Sequence, residues 1–145
     1  MEALNRLRNE INSTYGFRDG TPRINLGPCG PFAKAFREQW NARLGEKINI
    51  AFVMSRDGTF CHHVLVKLPD GNYFDGGNGV ISESALLRLY PESRIDEMRV
   101  FDLKLLDQRS YGLKREYPEC PDYSNSTTVR LIENCVSSLT AEVQK

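Results

Sequence analysis

The sequence predicts a single α+β domain in which helices come first and an antiparallel sheet follows. Apolar residues recur at helical spacing in residues 2–14 and again in residues 31–44. From residue 48 onward the spacing changes to alternation, and turn signals divide residues 48–75 into strands. Because the helices precede the strands instead of separating them, we expect the sheet to be antiparallel.

Two helices are expected before the sheet. The first spans Glu2–Thr14, with an apolar stripe of Leu4, Leu7 and Ile11. A loop with three Gly and two Pro residues follows over residues 15–28. The second helix runs from about Pro31 to Leu44 and ends at Gly45, with the apolar stripe Phe32, Ala35, Phe36 and Trp40.

The second half of the chain predicts the sheet and two further helices. The expected strands are residues 48–54, 62–68 and 72–75, joined by the turns Arg56-Asp57-Gly58 and Pro69-Asp70-Gly71. Ser82 begins a short helix that continues to Tyr90 and is stopped by Pro91. Alternating residues 98–106 predict one more strand, residues 108–122 are expected to be irregular, and residues 126–143 predict a terminal helix.

Length and charge limit the classes of protein to which the chain can belong. A chain of 145 residues, 40% hydrophobic and 26% charged, fits one globular domain over residues 1–145. Its 19 basic and 19 acidic side chains cancel, which argues against nucleic acid or an anionic membrane as the partner. No apolar run approaches the ~20 residues that span a bilayer. Residues 1–8 lack the apolar core of a secretory signal, so a cytoplasmic location is expected.

The cysteines favour thiol chemistry over a metal site. Cys29, Cys61, Cys120 and Cys135 include no CxxC pair, which disfavours a zinc ribbon. A zinc site built from Cys29, Cys61, His62 and His63 is also disfavoured, because neighbouring residues on a strand point to opposite faces. We therefore expect no metal and no cofactor.

Cys29 lies where a glycine-rich loop turns into the second helix. Pro31 suits the first turn of a helix because its missing N–H needs no partner there. At a helix N-terminus the free backbone N–H groups and the macrodipole favour a thiolate. Cys29 is thus either a reactive thiol or a small buried apolar residue, and the local sequence leaves both open.

The hairpin that follows supplies a base and an acid. Pro69-Asp70-Gly71 fits a three-residue turn with a bulge, which pairs Leu68 with Asn72 and places His63 diagonally across from Asp75. An Asp at this position can accept the imidazole N–H and fix its tautomer. A two-residue Asp70-Gly71 turn would shift the register by one and bring His62 to Asp75 instead. His63 is therefore the expected base and His62 the reserve.

A thiol, an imidazole and a carboxylate in this order are the parts of a nucleophilic site. The segments Gly27–Ala33, His63–Val66 and Tyr73–Asp75 resemble the papain-like cysteine peptidase superfamily in its smaller forms. The segment from His63 to Asp75 is also similar to arylamine N-acetyltransferases and transglutaminase-like proteins. The resemblance covers residues 25–80, and the remainder of the chain matches no subfamily.

The resemblance implies a papain-like fold, with the nucleophile helix packed against an antiparallel sheet. It implies that Cys29 is the nucleophile, His63 the general base and acid, and Asp75 the orienting residue. It also implies an oxyanion site formed by the backbone N–H of Cys29 and an upstream side-chain amide. Such enzymes often carry a Gln several residues before the Cys, whereas this loop offers only Asn25.

The expected function is hydrolysis of an amide, peptide or isopeptide bond through a thioester on Cys29, with a protein or peptide as the substrate. Two alternatives stay open. One is acyl transfer to an amine, as in the N-acetyltransferase and transglutaminase branch. The other is a papain-like module that binds or inhibits a partner protein. The sequence does not identify the substrate or the oligomeric state.

Overall fold

The computed structural model describes residues 2–26, 29–116 and 126–143 and shows the predicted α+β fold. The helices are α1 (Glu2–Tyr15), α2 (Cys29–Arg43), α3 (Glu83–Leu89), α4 (Leu103–Glu116) and α5 (Ser126–Val143), and a short 3-10 helix spans Arg23–Asn25. The strands are β1 (Phe17–Arg18), β2 (Thr21–Pro22), β3 (Asn49–Ser55), β4 (Cys61–Lys67), β5 (Tyr73–Asp75), β6 (Gly79–Ile81) and β7 (Ser93–Met98).

The main sheet is antiparallel and, among the described residues, has five strands in the order β6-β5-β4-β3-β7. Helices α1, α2, α4 and α5 pack together over one face of this sheet. Leu86 of α3 packs on the opposite face against Leu65 and Tyr73. No helix of the described residues is long and apolar enough to cross a membrane.

The larger apolar core lies between the sheet and the helices. The predicted stripe of α1 is confirmed, because Leu4, Leu7 and Ile11 are all buried. In α2 the aromatic residues of the predicted stripe are buried as well, and the Phe36 ring lies 4.8 Å from the Phe74 ring of β5, centroid to centroid. This packing fixes α2 against the middle of the sheet.

The β4–β5 hairpin has the predicted register. Leu68 N donates to Asn72 O at 2.8 Å, and Gly71 N donates to Leu68 O at 3.1 Å. Gly71 has a φ of 90°, the left-handed conformation that the three-residue turn requires. Val66 pairs with Phe74, so the hairpin follows the register that was counted from the turn.

A β-bulge interrupts β4 just before His63. Val53 pairs with His63, but the next residue, Met54, pairs with Cys61, so His62 is an extra residue in the ladder. In a strand without a bulge, Cys61 and His63 are two residues apart and would lie on the same face of the sheet. Because His62 is unpaired, Cys61 joins the core under the helices, while His63 lies opposite Val53, which packs in the cluster on the other face.

The prediction for residues 98–106 is wrong. The strand is β7, which ends at Met98, and α4 begins at Leu103. The alternation that suggested a strand includes Val100, whose side chain is 82% exposed. Asp102 starts the helix instead, since its side chain accepts a hydrogen bond from Leu105 N at 3.1 Å.

Other parts of the prediction also differ from the structure. Residues 108–116 lie in α4 and are not irregular, whereas residues 117–122, including Cys120, fall outside the described residues. The short strands β1, β2 and β6 were not predicted, because each has only two or three residues and shows no clear alternation.

Replacement of Phe74 by Ala tests the core between α2 and the sheet. We expect the free energy of unfolding, measured in urea, to fall by about 3–5 kcal/mol, since the ring is 1% exposed and contacts Phe36. Phe17→Ala is the control, because that ring is 53% exposed and its loss should cost less than about 0.5 kcal/mol. Equal losses in the two variants would contradict this description of the core.

Candidate functional site

Cys29 is the first residue of α2, and its side chain is 2% exposed. The first turn of a helix leaves backbone N–H groups without intrahelical partners, and these groups are available to a negative charge. Pro31 lies in that turn as predicted. The sulfur is therefore at a helix N-terminus but lies inside the protein rather than on its surface.

His63 and Asp75 form a buried pair. His63 Nε2 lies 2.9 Å from Asp75 Oδ2, and the two side chains are 0% and 2% exposed. Their contact is the diagonal one expected from the hairpin register, in which Val66 lies opposite Phe74. The structure thus brings together the imidazole and the carboxylate that the sequence singled out.

The Asp75 carboxylate accepts hydrogen bonds from four residues. Oδ2 accepts from His63 and from Asn78 Nδ2 at 3.0 Å. Oδ1 accepts from the backbone N–H groups of Gly77 at 2.9 Å and Asn78 at 2.6 Å, and from Asn25 Nδ2 at 3.3 Å. Burial alone would raise the pKa of Asp75, but the attraction of His63 and these hydrogen bonds hold that pKa below its usual range.

Polar residues of α1 hold the turn that follows Asp75. They lie on one face of the helix, three and four residues apart. Asn12 Nδ2 donates to Gly77 O at 3.1 Å, Arg8 donates to Asn78 O at 3.4 Å, and Asn5 Oδ1 accepts from Val80 N at 3.2 Å. Only the apolar stripe of α1 was predicted from the sequence, so these polar residues were missed.

Gly77 is required where the turn passes the 3-10 helix. A Cβ atom at this position would lie 2.5 Å from Asn25 Nδ2 and 2.7 Å from Pro22 Cβ, closer than real Cβ contacts. The glycine therefore lets the backbone approach closely enough for Asn25 to reach the carboxylate.

The second imidazole nitrogen of His63, Nδ1, is buried and makes no hydrogen bond of standard geometry. The Cys29 side chain is close enough to raise the pKa of the imidazole by hydrogen bonding. Catalytic hydrogen bonds are often long in a protein without substrate and shorten when it binds. Because Asp75 holds Nε2, Nδ1 is the nitrogen left for the thiol.

The pKa of His63 lies well above its usual value of about 6.5. Burial opposes the charged imidazole, but negative charge on Tyr90 and Asp75 and the hydrogen bond to Asp75 outweigh it. Burial is also the main reason that the pKa of Tyr90 is raised, so its hydroxyl is neutral near pH 7. At that pH the charge that stabilises the imidazolium is the Asp75 carboxylate.

Tyr90, at the end of α3, covers the imidazole of His63. The two rings are stacked, with centroids 5.6 Å apart and planes 16° apart. Tyr90 was predicted only as the end of a helix, because nothing in the sequence links it to His63, which lies far from it along the chain. Because of this cover and the surrounding core, Cys29, His63 and Asp75 together form a closed site.

His62 does not share the site of His63. Its ring is half-buried and lies against Phe60, 5.1 Å between centroids, and against Tyr90 at 6.2 Å. Within the described chain it makes no hydrogen bond or ion pair with Asp75. The bulged turn therefore favours His63 over the reserve base, although the catalytic role of either residue stays a prediction.

Asn25 lies at the site but is directed to Asp75. One hydrogen of Nδ2 is donated to the carboxylate, and Oδ1 is buried without a hydrogen-bond partner. The second hydrogen of Nδ2 is the one that an oxyanion could accept. Its role as an oxyanion donor therefore stays a prediction, and its observed contact is with the carboxylate.

Cys61 and Cys135, the two other cysteines that the structure describes, are placed for packing. Cys61 is 7% exposed, and its thiol contacts His63 O at 3.4 Å. Burial, and then negative charge on Cys29, raise the pKa of Cys61 to about 12. Cys135 is buried against α1, with its Sγ 3.5 Å from Ala3 O. Among the described residues no group of three His, Cys, Asp or Glu side chains could hold a metal ion.

Two grooves border the closed site. The Tyr90 groove, of about 470 Å³, is lined by residues that include Pro22, Asn25, Leu26, His62, Leu89 and Tyr90. The Arg109 groove, of about 280 Å³, is lined by residues that include Met54, Thr59, Cys61, Leu105, Gln108 and Arg109. Phe60 lines both grooves and so separates them. The Tyr90 groove reaches the site through Asn25, which donates to Asp75, and through Tyr90, which stacks on His63.

The buried pair predicts how stability depends on pH. The raised pKa of His63 stabilises the fold fully below about pH 6.5, and this stabilisation is lost as the pH rises through the folded-state pKa. The lowered pKa of Asp75 stabilises the fold above about pH 3.8, and this is lost as the pH falls through its folded-state value. Urea unfolding from pH 4.5 to 9 should therefore show a fall above pH 6.5.

Two matched histidine variants show which histidine causes the fall in stability above pH 6.5. His62→Gln should keep the decrease above pH 6.5, and His63→Gln should remove it, because only His63 is paired with Asp75. If His63→Gln does not fold, an NMR titration of the imidazole protons of the wild type and His62→Gln gives the same assignment. A decrease that disappears with His62→Gln would contradict the observed pairing.

Comparison with known proteins gives no relative from which a role could be transferred. No protein family, no curated protein and no solved structure matches the chain. The assignment of a function to Cys29, His63 and Asp75 therefore depends on their geometry alone.

Proposed function

We propose that the protein is a papain-like thiol enzyme that transfers acyl groups through Cys29, and that it hydrolyses an amide, peptide or isopeptide bond. The observation that carries this proposal is the arrangement of His63. One imidazole nitrogen is held by Asp75 at 2.9 Å, and the other is left for a thiol at the N-terminus of α2. This is the arrangement in which a base activates a nucleophile and an acid orients the base.

The reaction follows from these three side chains. The proton of the Cys29 thiol passes to His63, whose raised pKa favours a thiolate–imidazolium pair, and the thiolate attacks the carbonyl carbon of the substrate. The C–N bond then breaks, the amine leaves with the proton from the imidazolium, and a thioester remains on Cys29. Water attacks the thioester and gives a proton to the imidazole, which returns it to the sulfur as the carboxylic acid is released. Asp75 stays ionised throughout and stabilises the imidazolium.

The oxyanion of each tetrahedral intermediate needs donors that are already in place. The backbone N–H of Cys29 belongs to the first turn of α2 and has no acceptor within the helix. The second hydrogen of Asn25 Nδ2 is the proposed partner. Asn25 would then serve both the Asp75 carboxylate and the oxyanion, which links the orientation of the triad to the stabilisation of charge.

The papain-like assignment is supported by chain order and layering. The helix that begins with the nucleophile packs on an antiparallel sheet, and the base and the acid lie on neighbouring strands β4 and β5. The substrate proposed for this arrangement is a protein or peptide. The Tyr90 groove offers it apolar side chains, such as Leu26 and Leu89, beside the carboxamide of Asn25.

One observation favours transfer to an amine as a second candidate function. Cys29 is 2% exposed and His63 is 0% exposed, so the resting site excludes bulk water. A thioester formed in such a site would be protected from hydrolysis until another acceptor enters. Acyl transfer to an amine and hydrolysis share every step up to the thioester, and they differ only in the acceptor.

Alkylation of the native protein tests whether Cys29 is an activated nucleophile. With limiting iodoacetamide at pH 6.5, mass spectrometry should locate the adduct on Cys29 before Cys61, because the pKa of Cys61 is about 12. His63→Gln should slow the reaction of Cys29 by roughly tenfold or more, since the thiolate loses its base. His62→Gln is the matched control and should leave the rate unchanged.

Two results would oppose the proposal. Labelling of Cys29 no faster than that of Cys61 or Cys135 would leave a binding module as the better description of the chain. If Cys29 loses its reactivity in His62→Gln but keeps it in His63→Gln, His62 and not His63 is the base.

An activated ester separates hydrolysis from transfer. With p-nitrophenyl acetate we expect a burst of one equivalent of nitrophenol and an acetylated Cys29, detected by mass. Added amine, such as lysine methyl ester, should speed the loss of the acetyl group if an amine is the natural acceptor. A rate that is insensitive to the amine would favour hydrolysis, and the absence of a burst would argue against both candidate functions.

A further inference from the structure

Arg109 provides a cation on the side of the site away from Tyr90. Its guanidinium lies over the ring of Phe52, 4.4 Å from the centroid, and its side chain lines the Arg109 groove. Phe52 is 1% exposed and belongs to the sheet, so its ring holds one face of the guanidinium in place. Stacking of this kind leaves the N–H groups at the edge of the guanidinium available to an acceptor.

This cation has no carboxylate partner among the residues that the structure describes. Asp57, in the turn next to Gly58 and Thr59 of the groove, accepts hydrogen bonds from Ser55 and Thr59 instead. A guanidinium carries five N–H donors and prefers a planar acceptor such as a carboxylate, which it can bind through two parallel hydrogen bonds. The groove therefore combines a fixed cation with open space in front of it.

The Arg109 groove is connected to the site through Cys61. Cys61 lines it and lies two residues before His63, whose carbonyl oxygen its thiol contacts. Cys29 and Arg109 both act on the Cys61 thiol, and negative charge on Cys29 raises its pKa while Arg109 lowers it. One thiol is thus within electrostatic reach of both the nucleophile and the cation.

We propose that Arg109 binds a carboxylate of the substrate, on the side of the scissile bond that faces Cys61, and so makes the enzyme selective for acidic peptides. This inference rests on the proposed thiol chemistry of Cys29. The carboxylate is either an Asp or Glu side chain or the carboxyl terminus of a peptide. The Tyr90 groove, across Phe60, takes the apolar remainder of the substrate.

Three chloroacetyl probes test the proposal at Cys29. The neutral probe is chloroacetyl-asparagine with an amidated C-terminus. The second probe, chloroacetyl-aspartate with an amidated C-terminus, carries a side-chain carboxylate. The third, chloroacetyl-asparagine with a free C-terminus, carries a terminal carboxylate. The ratio of acidic-probe to neutral-probe alkylation rates at Cys29 should fall roughly fivefold in Arg109→Gln and less in Arg109→Lys. High salt should reduce the wild-type ratio. If only the side-chain probe loses its advantage in Arg109→Gln, Arg109 binds an Asp or Glu side chain. If only the terminal-carboxylate probe loses it, Arg109 binds the carboxyl terminus of a peptide.

Arg37→Gln is the matched control. Arg37 makes the same kind of contact, 4.5 Å over the ring of Phe101, but does not line the groove. Its loss should leave the ratio unchanged. A ratio that is unchanged in Arg109→Gln, or equally reduced in Arg37→Gln, would overturn the role of Arg109 while the neutral probe still supports Cys29 as the nucleophile.

Failure of the thiol chemistry would be seen separately. A neutral probe that labels Cys29 no faster than Cys61 would overturn the proposed function. Titration with N-acetyl-aspartic amide, followed through the Nε–Hε NMR signal of Arg109, tests the carboxylate contact without Cys29. A signal that shifts in the wild type supports the contact, and one that does not shift contradicts it.

Discussion

The Asp75 carboxylate connects the elements that form the site. It is buried, and it accepts hydrogen bonds from β4 through His63, from the 3-10 helix through Asn25, and from its own turn through Gly77 and Asn78. α1 holds that turn from the other side. A buried carboxylate without such donors would be costly, and loss of one partner from a buried ion pair typically costs about 3–5 kcal/mol. The position of His63, and with it the approach to Cys29, therefore depends on this one side chain.

The parts of the site that could be predicted are those set by local rules. A Pro-Asp-Gly turn fixes its own length, so counting from Leu68 and Asn72 was enough to bring His63 to Asp75. Cys29 was placed at a helix start because glycine and proline flank it and an apolar stripe follows. The α+β order and the buried faces of the first two helices followed from periodicity in the same way.

The remainder depends on contacts between distant segments, which one sequence does not show. The extra residue at His62 turns Cys61 and His63 to different faces, and no turn signal marks a bulge inside a strand. Tyr90 reaches the imidazole because α3 crosses the far face of the sheet. The strand expected at residues 98–106 failed for another reason: Val100 alternates correctly but is exposed, and capping by Asp102 outweighs the strand pattern.

The burial of the site under Tyr90 affects how readily the Cys29 thiol is oxidised. Oxidation of a cysteine to sulfenic acid and beyond follows both its thiolate character and its exposure to peroxide. At Cys29 these two properties are separated, because the proposed base, His63, lies near a sulfur that is 2% exposed. The closed site thus limits the access of oxidants to the sulfur while no substrate is bound. The side chains that enclose the sulfur control both the entry of a substrate and the rate of oxidation.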